Sequence, residues 1–251
     1  MYWFKENWLI LLSIALVLIA VITICIIAAN EKKKLGSTKV STKEVTYAAI
    51  CIATSFALSF FGYSLPQGGT ITPASVLPVM LYCHYYGVRK GFIVCLSFTL
   101  LQFMQNPYLL TPFQVILDYF LPYLAIIFSA VIPFDRKKHS SLIHENKPTM
   151  RSHLGFFIGA IIYAVVRYIS HVLSGAIFFG EYAWAGWNAW PYSMVYNLFS
   201  IVDAGIAVGV GAMLFANKAF DTFMAKSFNT EKKTNGGAKD DNGATSCANE
   251  G

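Results

Sequence analysis

The chain has 251 residues, 56% of them hydrophobic and only 13% charged, with a mean hydropathy of +0.53. A soluble domain carries about a quarter charged residues, so the composition excludes a water-soluble globular protein and indicates an integral membrane protein. At about 20 residues per span, the length admits six or seven transmembrane helices and no separate soluble domain. The net charge of +6 does not mark a nucleic-acid surface, because the basic residues lie between apolar runs and form no patch interleaved with aromatics. Cys25, Cys51, Cys83, Cys95 and Cys247 form no CxxC and no spaced Cys/His ligand set. They support neither a disulfide framework nor a zinc site, and no metal or cofactor is expected.

Residues 8–29, WLILLSIALVLIAVITICIIAA, contain no charge and are long enough to span a bilayer. Positive charge follows this run in EKKKLGSTKVSTKE, the reverse of a signal peptide. Residues 1–30 therefore read as an uncleaved transmembrane anchor with its N-terminus outside, and 31–44 as a basic cytoplasmic linker. The second span begins near Val45 and carries Ala49, Ala53 and Ala57 on one stripe, a surface that serves internal packing or docking of a partner subunit. After the uncharged loop GYSLPQGGTITP come a short third span over residues 74–86, the turn GVRKG, and a fourth span over 92–105. NPYLLTP leads into the fifth span, 113–134, with Asp118 near its start and Pro122 one turn later. DRKKHSSLIHENKPTMRSH reads as a basic surface linker whose His139 and His144 are solvated. The sixth span, 154–179, carries Arg167 and His171 one turn apart. GEYAWAGWNAW then leads into the seventh, 191–216, and the polar remainder, 217–251, lacks the apolar content to fold.

Lysine and arginine follow the first span, join the third to the fourth and the fifth to the sixth, and follow the seventh; the other three loops have none. Under the positive-inside rule the basic set is cytoplasmic, the C-terminus included. Asp118, Tyr108, Phe179, the tryptophan loop and Tyr192 then share the outer face.

A carboxylate about a turn inside the membrane is costly and is kept to pair with a cation or a proton, which singles out Asp118. His171, Tyr192 and Asn197 add a ring nitrogen, a hydroxyl and an amide, enough to orient a polar heterocycle. Each also has a structural reading, as a bond to a neighbouring helix. Trp184, Trp187 and Trp190 recur every third residue, as an interfacial belt or as a wall on which a flat cationic ring stacks; Tyr108 and Phe179 complete such a wall. Arg167 and Asp203 fall near the middle of their spans, where a mutual ion pair offsets the cost of burying either charge. No nucleotide-binding loop, HExxH, GxSxG or dinucleotide turn is present. Energy for any transport therefore comes from another chain or a gradient.

The stretches LPQGGTITPASVLPVMLYCHYYGVRKGF, NPYLLTPFQVILDY and RYISHVLSGAIFFGEYAWAGWNAWPYSMVYN resemble the thiamine-specific substrate-binding subunit, the S component, of energy-coupling factor vitamin transporters. The resemblance covers residues 46–215. It implies an all-α integral membrane protein, a six-helix S-component bundle over residues 45–216 to which the N-terminal helix is an addition. It further implies high-affinity capture of thiamine at the prokaryotic plasma membrane, together with a transmembrane coupling subunit and two ATPase subunits on other chains. By position it carries the binding roles onto Asp118, His171, Tyr192, Asn197, Phe179 and Tyr108, with Trp187 of the loop covering the ligand. Two features depart from the family: no tryptophan stands near Gly69 in the first outer loop, and the anchor has no counterpart. Alternatives are a capture subunit for a related vitamin or pyrimidine precursor, and a small membrane enzyme using Asp118 and His171 as an acid–base pair.

Overall fold

A computed structural model describes residues 40–224 apart from 106 and 148, together with positions 15, 19, 22, 23 and 26. The expected anchor, those positions aside, and the tail from 225 onward lie outside the described residues.

Helix α1, Thr42–Ser59, starts where the sequence supplies a capping box: Ser41 Oγ accepts from the Glu44 amide at 3.3 Å and Glu44 Oε2 from the Ser41 amide at 3.0 Å. The basic linker thus ends at Ser41, three residues earlier than expected, and Glu44 turns inward to pair with Lys90. The first uncharged loop is a small hairpin and no irregular turn. Strand β1, Tyr63–Ser64, pairs antiparallel with β2, Thr70–Ile71, around a tight turn at Pro66–Gly68. Helix α2, Leu77–Tyr86, stops at Gly87, whose φ of +83° lets the chain reverse into α3, Val88–Met104.

The fifth expected span is one helical run, α4, Pro112–Ala130, of changing pitch. After one α-turn it widens to a π-helix at Ile116–Phe120, returns to α at Leu121–Leu124 and tightens to 3₁₀ at Ala125–Ala130. Pro122 ends the widened register. With Leu121 N donating to Ile116 O, the next bond in the i→i−5 register falls to residue 122, which has no N–H. The freed Leu117 carbonyl is met by Ser170 Oγ of α6 at 2.5 Å, so the irregular turn is held from outside.

Helix α5, Arg136–His144, is followed by α6, Leu154–Phe178, α7, Ala189–Tyr196, and α8, Leu198–Ala216. Among the described residues three runs are long and apolar enough to cross a membrane: Pro112–Ala130, Met150–Phe178 and Ala189–Ala216. Helix α6 lies at the centre, packed against α4, α7 and α8. A Cβ at Gly159 would sit 2.0 Å from the Phe128 carbonyl oxygen, so glycine is what lets α6 touch the end of α4. Lipid tails are as apolar as Leu, so close packing through small residues favours such contacts more than water exclusion does.

Arg167 and Asp203 pair, as their depth predicts. Arg167 Nη1 lies 2.5 Å from Asp203 Oδ2 and 2.8 Å from the Tyr163 hydroxyl, while Asp203 Oδ1 accepts from the Thr72 amide at 2.7 Å and hydroxyl at 2.8 Å. The network ties α6 and α8 to the segment leaving the hairpin.

The polar segment between α4 and α6 departs from a solvated linker. It contains α5, and His139 is buried, although His144 is exposed. Residues 218–224, within the stretch expected to be disordered, are helical: Asn217 Oδ1 accepts from the Ala219 and Phe220 amides, and Asp221 is buried. The aromatic rings of Phe134 and Phe215 stack on His153 there, which offers polar residues a packed site no periodicity reveals.

Candidate functional site

At one end of the helices, the start of α4, the end of α6, α7, the start of α8 and the hairpin enclose a cavity of about 820 Å³ counting its mouth. Asp118, His171, Tyr192, Asn197, Phe179 and Tyr108 all line it. Trp187 does not. Its ring packs edge-on against Trp184, centroids 5.1 Å apart, and Trp184 in turn packs against Tyr192 at 5.2 Å. The three-residue tryptophan spacing therefore builds a buttress behind the wall; Trp184 and Trp187 are half exposed.

Asp118 sits in the middle of the π-turn. Its Oδ2 accepts from Gln114 Nε2 at 2.7 Å, and its Oδ1 lies 3.3 Å from His171 Nδ1. Gln114 is itself fixed, its backbone N–H donating to Thr111 Oγ1 and its Oε1 accepting from the Leu110 amide. The carboxylate is aimed and partly exposed, at 18% of its side-chain surface. With a histidine and a neutral amide as its side-chain partners, it has no lysine or arginine bound to it among the described residues.

Helix α6 brings His171 opposite, and α7 approaches it closely because residue 175 is glycine: a Cβ there would meet Ser193 Oγ at 2.2 Å. Ser193 Oγ donates to the Val172 carbonyl at 2.8 Å, and Asn197 Nδ2 donates to the carbonyls of His171 at 3.2 Å and Ser193 at 2.9 Å. The Asn197 amide nitrogen is thus committed to joining α6 to α7, which leaves its carbonyl oxygen for a ligand.

The remaining wall is aromatic. Tyr108 and Phe179 face each other with centroids 5.8 Å apart, and Tyr192 stacks on Tyr196 at 5.8 Å. The Tyr108 phenol beside Tyr182, in the exposed loop after Phe179, holds the Tyr182 hydroxyl above its ordinary value. Tyr108 is placed by its amide, which donates to the Tyr119 hydroxyl at 2.8 Å.

Sequence reasoning missed Gln114, Tyr119, Tyr196 and Phe199, which also line the cavity. Gln114 is one turn before Asp118 and Tyr196 one turn after Tyr192, so the i, i+4 rule could have found both. Near Gly69, where no tryptophan stands, Tyr196 and Phe199 fill the space: a Cβ on Gly69 would lie 2.9 Å from the nearest atom of each of these side chains, and the Gly69 amide donates to the Tyr196 hydroxyl at 3.2 Å. The arrangement presents the Asp118 carboxylate, a ring nitrogen, hydroxyls and aromatic faces, and the Arg167 that also lines the cavity is paired with Asp203. It suits a small, flat, positively charged molecule over an anion.

Comparison with known proteins matches residues 45–224 to the family described as thiamine transporter protein (Thia_YuaJ). The chain is 31% identical over 148 residues to the thiamine transporter ThiT of Bacillus subtilis strain 168, covering 59% of this chain and 74% of that one. It is 38% identical over 79 residues to ThiT of Lacticaseibacillus paracasei, covering 30% and 39%. Its structure is similar to that of ThiT from Listeria monocytogenes, with a TM-score of 0.58 at 26% identity over 69% of this chain and 93% of that one.

Proposed function

Because the chain belongs to the thiamine transporter protein family, we propose that it captures thiamine with high affinity as the substrate-binding subunit of an energy-coupling factor transporter. It is a multi-pass membrane protein, and its named relatives are transporters, not enzymes. The observation that carries the ligand assignment is the Asp118 carboxylate, aimed by Gln114 into a cavity whose walls are aromatic. In this reading Asp118 balances the thiazolium charge, His171, Tyr192 and the Asn197 carbonyl orient the polar ring atoms, and Phe179 with Tyr108 stacks on the ligand. Trp187 supports the wall through Trp184 and makes no contact.

The cavity opens outward and the C-terminus is cytoplasmic, in line with the distribution of lysine and arginine. A coupling subunit and two ATPase subunits on other chains supply the energy. Support for a docked subunit comes from α1, where Ala49, Ala53 and Ala57 are all exposed, so that among the described residues the small-residue stripe is not taken up by internal packing. Release then follows reorientation of the subunit within the complex.

The test is a tryptophan-fluorescence titration of the purified protein, since Trp184 packs on the cavity residue Tyr192. Thiamine should quench the signal saturably, and related vitamins or pyrimidine precursors should compete weakly. Absence of any quench across the micromolar range would sink the assignment; stronger competition by a pyrimidine precursor would reassign the ligand.

A further inference from the structure

We propose that His139, His153 and Asp221, at the end of α6 remote from the cavity, form a binding site for a divalent transition metal of the zinc type. The residues come from three separate segments: α5, the turn before α6, and the helical residues after α8. One ligand atom from each lies within 4.8 Å of the other two, and all three side chains are buried. His153 Nε2 is 3.2 Å and His139 Nε2 is 3.9 Å from the same Asp221 oxygen, Oδ1. Tetrahedral zinc with ligands at about 2.0–2.1 Å sets neighbouring ligand atoms about 3.3 Å apart. One edge of the site already has that length, and the others close with side-chain shifts on the order of 1 Å.

The outer contacts fit the same reading. A metal-ligating histidine fixes its ring by giving its other nitrogen a partner. Here His139 Nδ1 lies 2.7 Å from Ser152 Oγ, and His153 Nδ1 lies 3.2 Å from His84 Nε2. The second Asp221 oxygen accepts from the Thr149 hydroxyl. With its Nδ1 so engaged, His139 Nε2 is buried and has no hydrogen-bond partner among the described residues, a cost that an open coordination position explains. Phe134 and Phe215 stack on His153 with ring planes at 13° and 8°, enclosing the site in apolar surface. Bound metal would staple α5 and the chain after α8 to the base of α6. Along that helix the site lies about 27 Å from His171, at 1.5 Å per residue, so it is separate from the ligand cavity.

The experiment uses the full chain, purified through a tag without histidine, stripped with chelator and titrated with zinc chloride or cobalt chloride alone. One equivalent should bind per chain, cobalt should give visible bands of tetrahedral intensity, and zinc should raise the melting temperature. His139→Ala and the near-isosteric Asp221→Asn should each weaken binding by at least the roughly 10- to 100-fold typical of outer-shell changes and abolish the thermal shift. Ser152→Ala should weaken it less. Helix content by circular dichroism checks that each variant folds; should His139→Ala fail that check, Asp221→Asn decides. No saturable binding by the parent, or binding that survives Asp221→Asn undiminished, overturns the proposal.

Discussion

Replacing Asp118 by asparagine removes one charge and almost no volume, and the Gln114 contact at 2.7 Å can persist through the remaining carbonyl oxygen. Any large loss of affinity then reports the charge itself. At an effective dielectric of about 20, opposite charges about 4 Å apart attract by about 4 kcal/mol. Asp118 is 18% exposed and His171 14%, so water reaches the pair and the usable part is smaller. A charge-assisted contact of this kind contributes about 1.5–3 kcal/mol, which corresponds to a roughly 10- to 150-fold rise in the thiamine Kd. The assay is the fluorescence titration run twice on parent and variant, once with thiamine and once with an analogue whose thiazolium is replaced by an uncharged ring. The variant should lose affinity for thiamine and keep its affinity for the neutral analogue. Equal thiamine binding by parent and variant, within about twofold, or equal losses for both ligands, would refute charge recognition by Asp118; the second result would instead mean that the substitution deforms the site.

Three further outcomes are expected. Asp203→Asn should lower unfolding stability by about 3–5 kcal/mol, because it leaves the buried Arg167 guanidinium unpaired. Arg167→Leu with Asp203→Leu should cost clearly less than the two single changes summed; simple additivity in thermal unfolding would mean that the pair contributes no coupling. Gly175→Ala should destabilise by about 1–3 kcal/mol as the new methyl forces α7 away from α6, and should weaken ligand binding because Asn197 bridges those helices; a variant with parental melting temperature contradicts the packing described. Trp187→Phe should leave thiamine affinity within about twofold, whereas Trp184→Ala, which strips the support behind Tyr192, should reduce it by about 0.5–1.5 kcal/mol. Reversal of that order, read in the same titration, would restore Trp187 to the wall.

Residue types and their depth in an apolar run make Asp118, His171 and the Arg167–Asp203 pair legible, because a charge in a membrane has few permissible settings. The helices follow from apolar run length for the same reason. What stays hidden is whatever depends on a neighbour. The exclusion of Trp187 from the cavity follows from Trp184 reaching Tyr192 first, and no spacing rule encodes that. The inward turn of His139 depends on Ser152 and on the distant Asp221; read alone among lysines, a histidine looks solvated.

The π-turn of α4 connects what was legible to what was not. Asp118 and Pro122 are visible as a carboxylate and a helix breaker four residues apart, yet their joint effect requires Ser170 on another helix. An unbroken α-helix would bond every carbonyl internally and advance each side chain by about 100° per residue. The π-register instead leaves the Leu117 carbonyl for Ser170, and that bond locks the turn against α6 one residue before His171. The same contact therefore fixes where the carboxylate points and which helix faces it, so that proline, serine and aspartate act as one device for placing a charge beside an imidazole at 3.3 Å. Helical irregularity here sets two rigid helices in register while the backbone carbonyl it frees is still satisfied within the membrane, by Ser170.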